Sequence, residues 1–353
     1  MKGMKLGCAV EYAGRKVEVP IERIKRLEAL GYDSVWTAEA YGSDAITPLA
    51  FIAAHTKKIR LGTGVIQVGA RTPTMTAMSL ATVDQMAGGG RVIGGLGLSG
   101  PQIVEGWYGT PWGRPKDRLR DYVTIMKKIF AREGPVVHDG PEIRLPYDGP
   151  GSSGMGKPLK SILHFDDPGP PAIWLGTGAP EMVKLTAELA DGWLAFGMRP
   201  GNVDKFKSWF EEGFARAGGG KGYDDFEIQG GVSVTITDDV KGALQLNKPF
   251  VALYVGGMGH PDLNFHKKRM HREGWGEAAD RIQELFQAGK REEAIEAVPD
   301  EYIDEGGLFG DQARIKKRWR ALWEDMPYTG VTVRTEQEEA YDLMAELVGT
   351  RDQ

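Results

Sequence analysis

The feature that most restricts this chain is a rhythm in which short apolar segments alternate with amphipathic ones, eight times over. The apolar segments, read as strands, are Lys5–Val10, Ser34–Thr37, Ile59–Ile66, Arg91–Leu96, Ala172–Leu175, Gly192–Phe196, Phe226–Ile236 and Gly330–Arg334. Between them lie helical patterns such as Pro20–Leu30, where Ile21, Ile24, Leu27 and Leu30 share one face. The stretch through Leu119, Tyr122, Val123, Met126, Ile129 and Phe130 has the clearest helical period. Strands separated by helices pair in parallel through right-handed crossovers. Eight units fit an α/β chain folded as one (β/α)8 TIM barrel over residues 1–353. A doubly wound sheet satisfies the same alternation and is the competing architecture. The rhythm breaks at about 133–171 and 256–310, so insertions follow strands 4 and 7. Within the first, residues 136–145 read as a small hairpin.

Composition narrows the function classes. With 44 Lys+Arg against 49 Asp+Glu the net charge is −5, which argues against a nucleic-acid partner. A lone cysteine, Cys8, excludes an intramolecular disulfide framework. There is no 18-residue apolar run and no signal-peptide pattern at Met1–Lys5, so a cytoplasmic protein without a membrane partner is expected. Glycine supplies 49 residues, about twice its ordinary share, which points to tight turns and close backbone approaches.

Three glycine clusters invite a nucleotide reading. Gly95–Gly100 matches GxGxxG after a strand, but Pro101 follows and Glu105–Gly109 does not read as a first helical turn, so a tight loop is favoured. Gly151–Pro158 fits a P-loop until Pro158, which has no hydroxyl for a metal ion. Lys157 and Lys160 on that loop could meet an anionic ligand tail. Gly176, Thr177, Gly178 and Ala179 lie between a strand and a helix, where backbone amides suit an anion, and an ordinary turn is the alternative. His260, His266 and His271 lack metal-ligand spacing, so no metal is expected. Glu11 and Glu39 follow the first two strands, at the catalytic end of a barrel, although ion pairing or helix capping would explain either.

Gly31–Glu39, Ile59–Val65, Gly88–Gly97 and Ala190–Trp193, in this order, resemble the luciferase-like monooxygenase superfamily. Within it, the chain is similar to the coenzyme F420-dependent oxidoreductases, including methylenetetrahydromethanopterin reductase. The resemblance implies hydride transfer between a deazaflavin and a small organic substrate, in a homodimer. It implies a cis peptide at Gly64–Val65 behind the cofactor ring and Glu39 at the ring edge. Leu98, Ser99 and Gly100 would line the ring and its side chain, and Gly176–Ala179 would hold the phosphate. Lys157 and Lys160 would meet the oligoglutamyl tail, while Glu11, Tyr12, Gln67, Gln102 and Trp107 would line the substrate side. Glu11, Glu39, Gln67 and Trp107 are the catalytic candidates. Ala40 and Gly100 replace a histidine and a glutamate of the sugar-phosphate dehydrogenases, which counts against that activity. An FMN-dependent monooxygenase and a non-catalytic flavin-binding relative are the alternatives.

Overall fold

Eight parallel strands close into a ring: β1 (Lys5–Ala9), β2 (Ser34–Thr37), β3 (Arg60–Thr63), β4 (Val92–Gly97), β5 (Ala172–Thr177), β6 (Gly192–Ala195), β7 (Glu227–Ile236) and β8 (Gly330–Arg334). Each pairs with the next, and β8 pairs with β1. The computed structural model describes residues 3–12, 14–260 and 263–350. A closed ring leaves no edge strand, which excludes the doubly wound sheet.

Helices α1 (Ile21–Ala29), α2 (Thr47–Ala53), α3 (Pro73–Met86), α4 (Pro115–Ala131), α5 (Pro180–Leu189) and α6 (Val203–Ala217) follow the first six strands in turn. Proline opens α3, α4 and α5, where its missing N–H costs nothing and its fixed φ suits the helix. Their apolar faces meet the outer faces of the strands. Leu6, Val35, Leu61, Leu175, Val232 and Val333 are fully buried against helix residues such as Leu27, Leu80, Met126 and Phe210. Each such side chain contributes roughly 1.5–3 kcal/mol by leaving water.

The ring's interior is filled differently. Trp36, Ile93 and Trp174 pack there, the two indoles with centroids 5.4 Å apart. A Cβ on Gly62 would lie 2.4 Å from the Trp36 ring, and one on Gly192 would lie 2.5 Å from that of Trp174. The inward glycines are the space the indoles occupy. The amino end of the ring is closed by ion pairs, with Arg60 2.7 Å from Glu227 and 2.6 Å from Asp33, and Lys5 3.2 Å from Glu227. The carboxyl end remains as the mouth.

The first insertion joins α4 to β5. Its hairpin pairs His138–Asp139 with Arg144–Leu145 and hangs on Asp121, which accepts from Glu142 N at 2.8 Å and Ile143 N at 2.9 Å. The chain then descends outside the barrel. Leu159 O accepts from Val136 N, Leu163 O accepts from Arg132, and His164 O accepts from Gln85. Gln85 and Arg132 stand at the ends of α3 and α4, which run away from the mouth.

The second insertion follows β7 through α7 (Val240–Ala252), a wide turn at Leu253–Gly257 and α8 (Phe265–Arg272). It also contains a strand missed in the sequence reading, Gly307–Gly310, which pairs with Ser233–Ile236 of β7. Four residues with glycine at both ends carry too little periodicity to announce a strand. The third strand likewise differs from its reading, breaking after Thr63 and resuming at Ile66–Gln67. No described helix is long and apolar enough to cross a membrane.

Candidate active site

At the mouth, β3 ends in a cis peptide between Gly64 and Val65, where the family resemblance implies one. Gly64 N donates to Thr37 O, and the chain then pairs Ile66 and Gln67 with Leu96 and Gly97 of β4. The detour lays the Val65 side chain across two strands. A Cβ on Gly97 would stand 2.5 Å from it, and one on Gly176 would stand 2.8 Å away. Glycine at both positions therefore leaves a smooth apolar floor, with Gly64 exposed above it. The glycines of the first and third clusters act here by what they omit.

Glu39 is buried beside this floor. One carboxylate oxygen accepts from Gln67 N at 2.8 Å and from Arg71 at 2.7 Å, and the other accepts from Ala45 N at 3.0 Å. A single side chain thus ties the loop after β2 to the segment after β3. Burial works against the Arg71 charge, but the hydrogen bond and charge of Glu39 outweigh it, so Arg71 lies above its ordinary pKa. The ion-pair alternative describes these contacts of Glu39. Gln67 Nε2 donates to the carbonyls of Glu39 and Ala40, while its Oε1 is buried with no partner among the described residues. That oxygen is an acceptor waiting for a donor.

After β4, Leu98 and Ser99 are half-buried, and Ser99 holds φ at +61°, which side chains seldom adopt. Gly100 then caps a one-turn helix, Pro101–Val104. The sequence reading denied a helix here, although proline in the first turn is a helix-start signal. Trp107, read as lining the substrate side, is 64% exposed. Tyr108 is half-buried and donates to Ala40 O.

The turn after β5 brings Gly176, Thr177, Gly178 and Ala179 to the start of α5, which no side chain caps. The Thr177 hydroxyl does not face the turn. It is buried against α5, 2.7 Å from the Thr186 hydroxyl and donating to Met182 O. The charge beside the turn comes from elsewhere. A cavity of about 260 Å³ is lined by Gly178, Phe196, Lys205, Arg269, Arg272 and Glu273, among others. Arg272 donates to Gly178 O, and Arg269 lies over the Phe196 ring at 4.7 Å. Glu273, buried, stands 3.5 Å from Arg269 and 3.6 Å from Arg199. Lys157 and Lys160 are exposed on the first insertion, whose Leu159 and Leu163 carbonyls are held at the C-terminal end of α4, outside the barrel.

Across the mouth, Glu11 is exposed and accepts from Tyr12 N. The hydroxyls of Tyr12 and Tyr254 are 3.4 Å apart. Tyr254 stands edge-on to His266 at 4.6 Å, and His266 edge-on to Phe196 at 5.3 Å. Burial, helped by the Arg269 charge, pushes His266 down to about 3. Gln102 is exposed and lies against Gly259. Sequence reasoning missed Arg71, Lys205, Arg269, Arg272 and Arg334. Only Arg334 left a signal, the two-residue period Gly330–Thr332–Arg334 on an inward strand face. No cluster of three or more potential metal ligands occurs among the described residues.

Comparison with known proteins places this geometry. Residues 6–330 match the family described as luciferase-like monooxygenase. A Mycobacterium tuberculosis protein, Rv3520c, whose name places it provisionally among the coenzyme F420-dependent oxidoreductases, is 43% identical over 98% of this chain and 99% of its own. The 5,10-methylenetetrahydromethanopterin reductase of Archaeoglobus fulgidus is 27% identical over 85% of this chain and 84% of its own. Among solved structures, the Methanopyrus kandleri tetrahydromethanopterin reductase superposes with a TM-score of 0.71 at 23% identity, covering 98% of this chain and 97% of that one. An F420-dependent secondary alcohol dehydrogenase does so with a TM-score of 0.75 at 17% identity, covering 99% of each. These two likenesses concern the fold.

Proposed function

The chain belongs to the luciferase-like monooxygenase family, and from that premise we propose that it is a coenzyme F420-dependent oxidoreductase acting on a small organic substrate. The observation that carries the reading is the floor that the Val65 side chain makes over Gly97 and Gly176. It is apolar, flat, and bordered by a buried unpartnered acceptor, Gln67 Oε1. These are the properties a planar ring with an N–H edge requires. The 43% identical relative supports F420 over FMN.

Val65, Gly64 and Gln67 would hold the ring, with Leu98, Ser99 and Gly100 along its side. The amides of Gly176–Ala179 would take the phosphate at the start of α5, with Lys205 and Arg272 adding charge. When bound, the deazaflavin supplies a carbon centre that gives or accepts hydride. The protein supplies position and dryness. Glu39 fixes the two loops that frame the ring edge, and the turn at Leu253–Gly257 brings Tyr254 to Tyr12 across the β7–β8–β1 side of the mouth, which is left to the substrate.

Side-by-side fluorescence titrations with F420 and FMN test the reading. F420 should bind more tightly, and Gly97→Val should weaken both cofactors strongly by driving Val65 upward. Tight FMN binding without F420 binding would move the protein to the monooxygenase reading.

A further inference from the structure

On β8, Val331 and Val333 are buried toward the helices, whereas Gly330, Thr332 and Arg334 face the barrel axis. Thr332 confirms the parity, since its hydroxyl accepts from the inward Gln229 at 3.0 Å. Arg334, last on the strand, therefore projects into the mouth. Its guanidinium lies across Gly231 of β7, where a Cβ would come within 3.2 Å of Nη2 and 3.4 Å of Cζ. The missing side chain is the seat for the planar group.

Arg334 differs from the other cations around the barrel axis. Arg71 has Glu39, and Arg60 has Asp33 and Glu227. Arg334 has no hydrogen-bond or ion-pair partner among the described residues, and it is open to solvent at the mouth. The surrounding walls of the mouth lower its pKa, the Arg269 charge adds to that, and the phenols of Tyr12 and Tyr254 act in the opposite sense. A guanidinium stays charged regardless. An accessible guanidinium with its donors uncommitted, held at the mouth of a barrel, is placed to receive an anion from solvent.

We propose that Arg334 anchors an anionic group of the substrate, a carboxylate or a phosphate, with the hydroxyls of Tyr12 and Tyr254 as further donors. The proposal rests on the reading that the cofactor ring covers the β3–β4–β5 side, which leaves the β7–β8–β1 side for substrate. Arginine suits this task because its donors match two oxygens at once. The chemistry it selects is a small organic molecule bearing a fixed negative charge away from the carbon that exchanges hydride.

The test uses benzoate, inorganic phosphate and the neutral isostere benzamide, titrated into the F420-saturated protein and into the protein alone. Benzoate or phosphate should bind at least about tenfold more tightly than benzamide, and Arg334→Gln should remove that preference. Arg334→Lys should keep part of it. A preference for benzoate indicates a carboxylate substrate, and the reverse a phosphate ester. Equal binding of all three probes, or undiminished anion binding in Arg334→Gln, overturns the proposal. So does a parallel loss of F420 affinity in that variant, which would make Arg334 a cofactor contact. Failure of the wild-type protein to bind F420 strikes the cofactor reading, whereas Arg334-dependent anion binding in the protein alone still supports this one.

Discussion

The two insertions interrupt the same barrel and have opposite fates. The first carries the most motif-like sequence in the chain, Gly151–Pro158 with Lys157 and Lys160, and lies along the outside of the barrel. The second has no recognisable motif, yet it brings Arg269 and Arg272 to the turn after β5 and Tyr254 and His266 to the mouth. The difference is one of connectivity. The first insertion leaves a helix to enter a strand, so it starts and ends at the amino end of the ring. The second leaves a strand to enter a helix, so it starts at the mouth, where barrel chemistry is found.

The largest test of this contrast is Arg269→Ala. It leaves Glu273 buried with Arg199 alone, and urea unfolding should show a loss of about 3 kcal/mol together with weaker F420 binding. A stability change near zero would mean that the second insertion is merely draped over the mouth. Next, Lys205→Ala with Arg272→Ala should weaken F420 and FMN alike, about tenfold at low salt, because the phosphate is common to both. The loss should shrink as salt rises. A loss confined to F420 would shift these residues to its tail.

A subtler effect concerns pH. His266 is held at about 3 when folded, against an ordinary 6.5. Between those values the unfolded chain binds the extra proton, so the stability His266 contributes above pH 6.5 is lost as pH falls toward 3. His266→Phe should flatten the thermal stability profile over that window, and an unchanged profile would place His266 in water. Smallest of all, Lys157→Ala with Lys160→Ala should alter stability by less than ~0.5 kcal/mol and F420 affinity not at all. A clear loss of affinity would reverse the comparison between the insertions.

The barrel was legible because eight strand–helix units each carry their own periodicity, and the Gly64–Val65 turn because Ile59–Val65 resembles its counterparts. The outer course of the first insertion follows from its place after α4, which ends at Ala131, and the composition of the Gly151–Pro158 loop does not show it. Thr177 was read by residue type, and one torsion sends its hydroxyl toward Thr186 instead. Arg71, Lys205 and Arg269 were not legible, since each acquires its role only from partners distant in sequence.

The glycines inside the ring bear on how this protein can evolve. Gly62 and Gly192 exist beside Trp36 and Trp174 because an indole and a Cβ cannot share the space. Enlarging a glycine first creates a clash, and shrinking an indole first leaves a void. Neither order is a smooth path, so these positions are expected to change in pairs across descendants or to stay fixed. The barrel's interior is therefore expected to resist stepwise change, and new specificities would arise above that layer rather than within it.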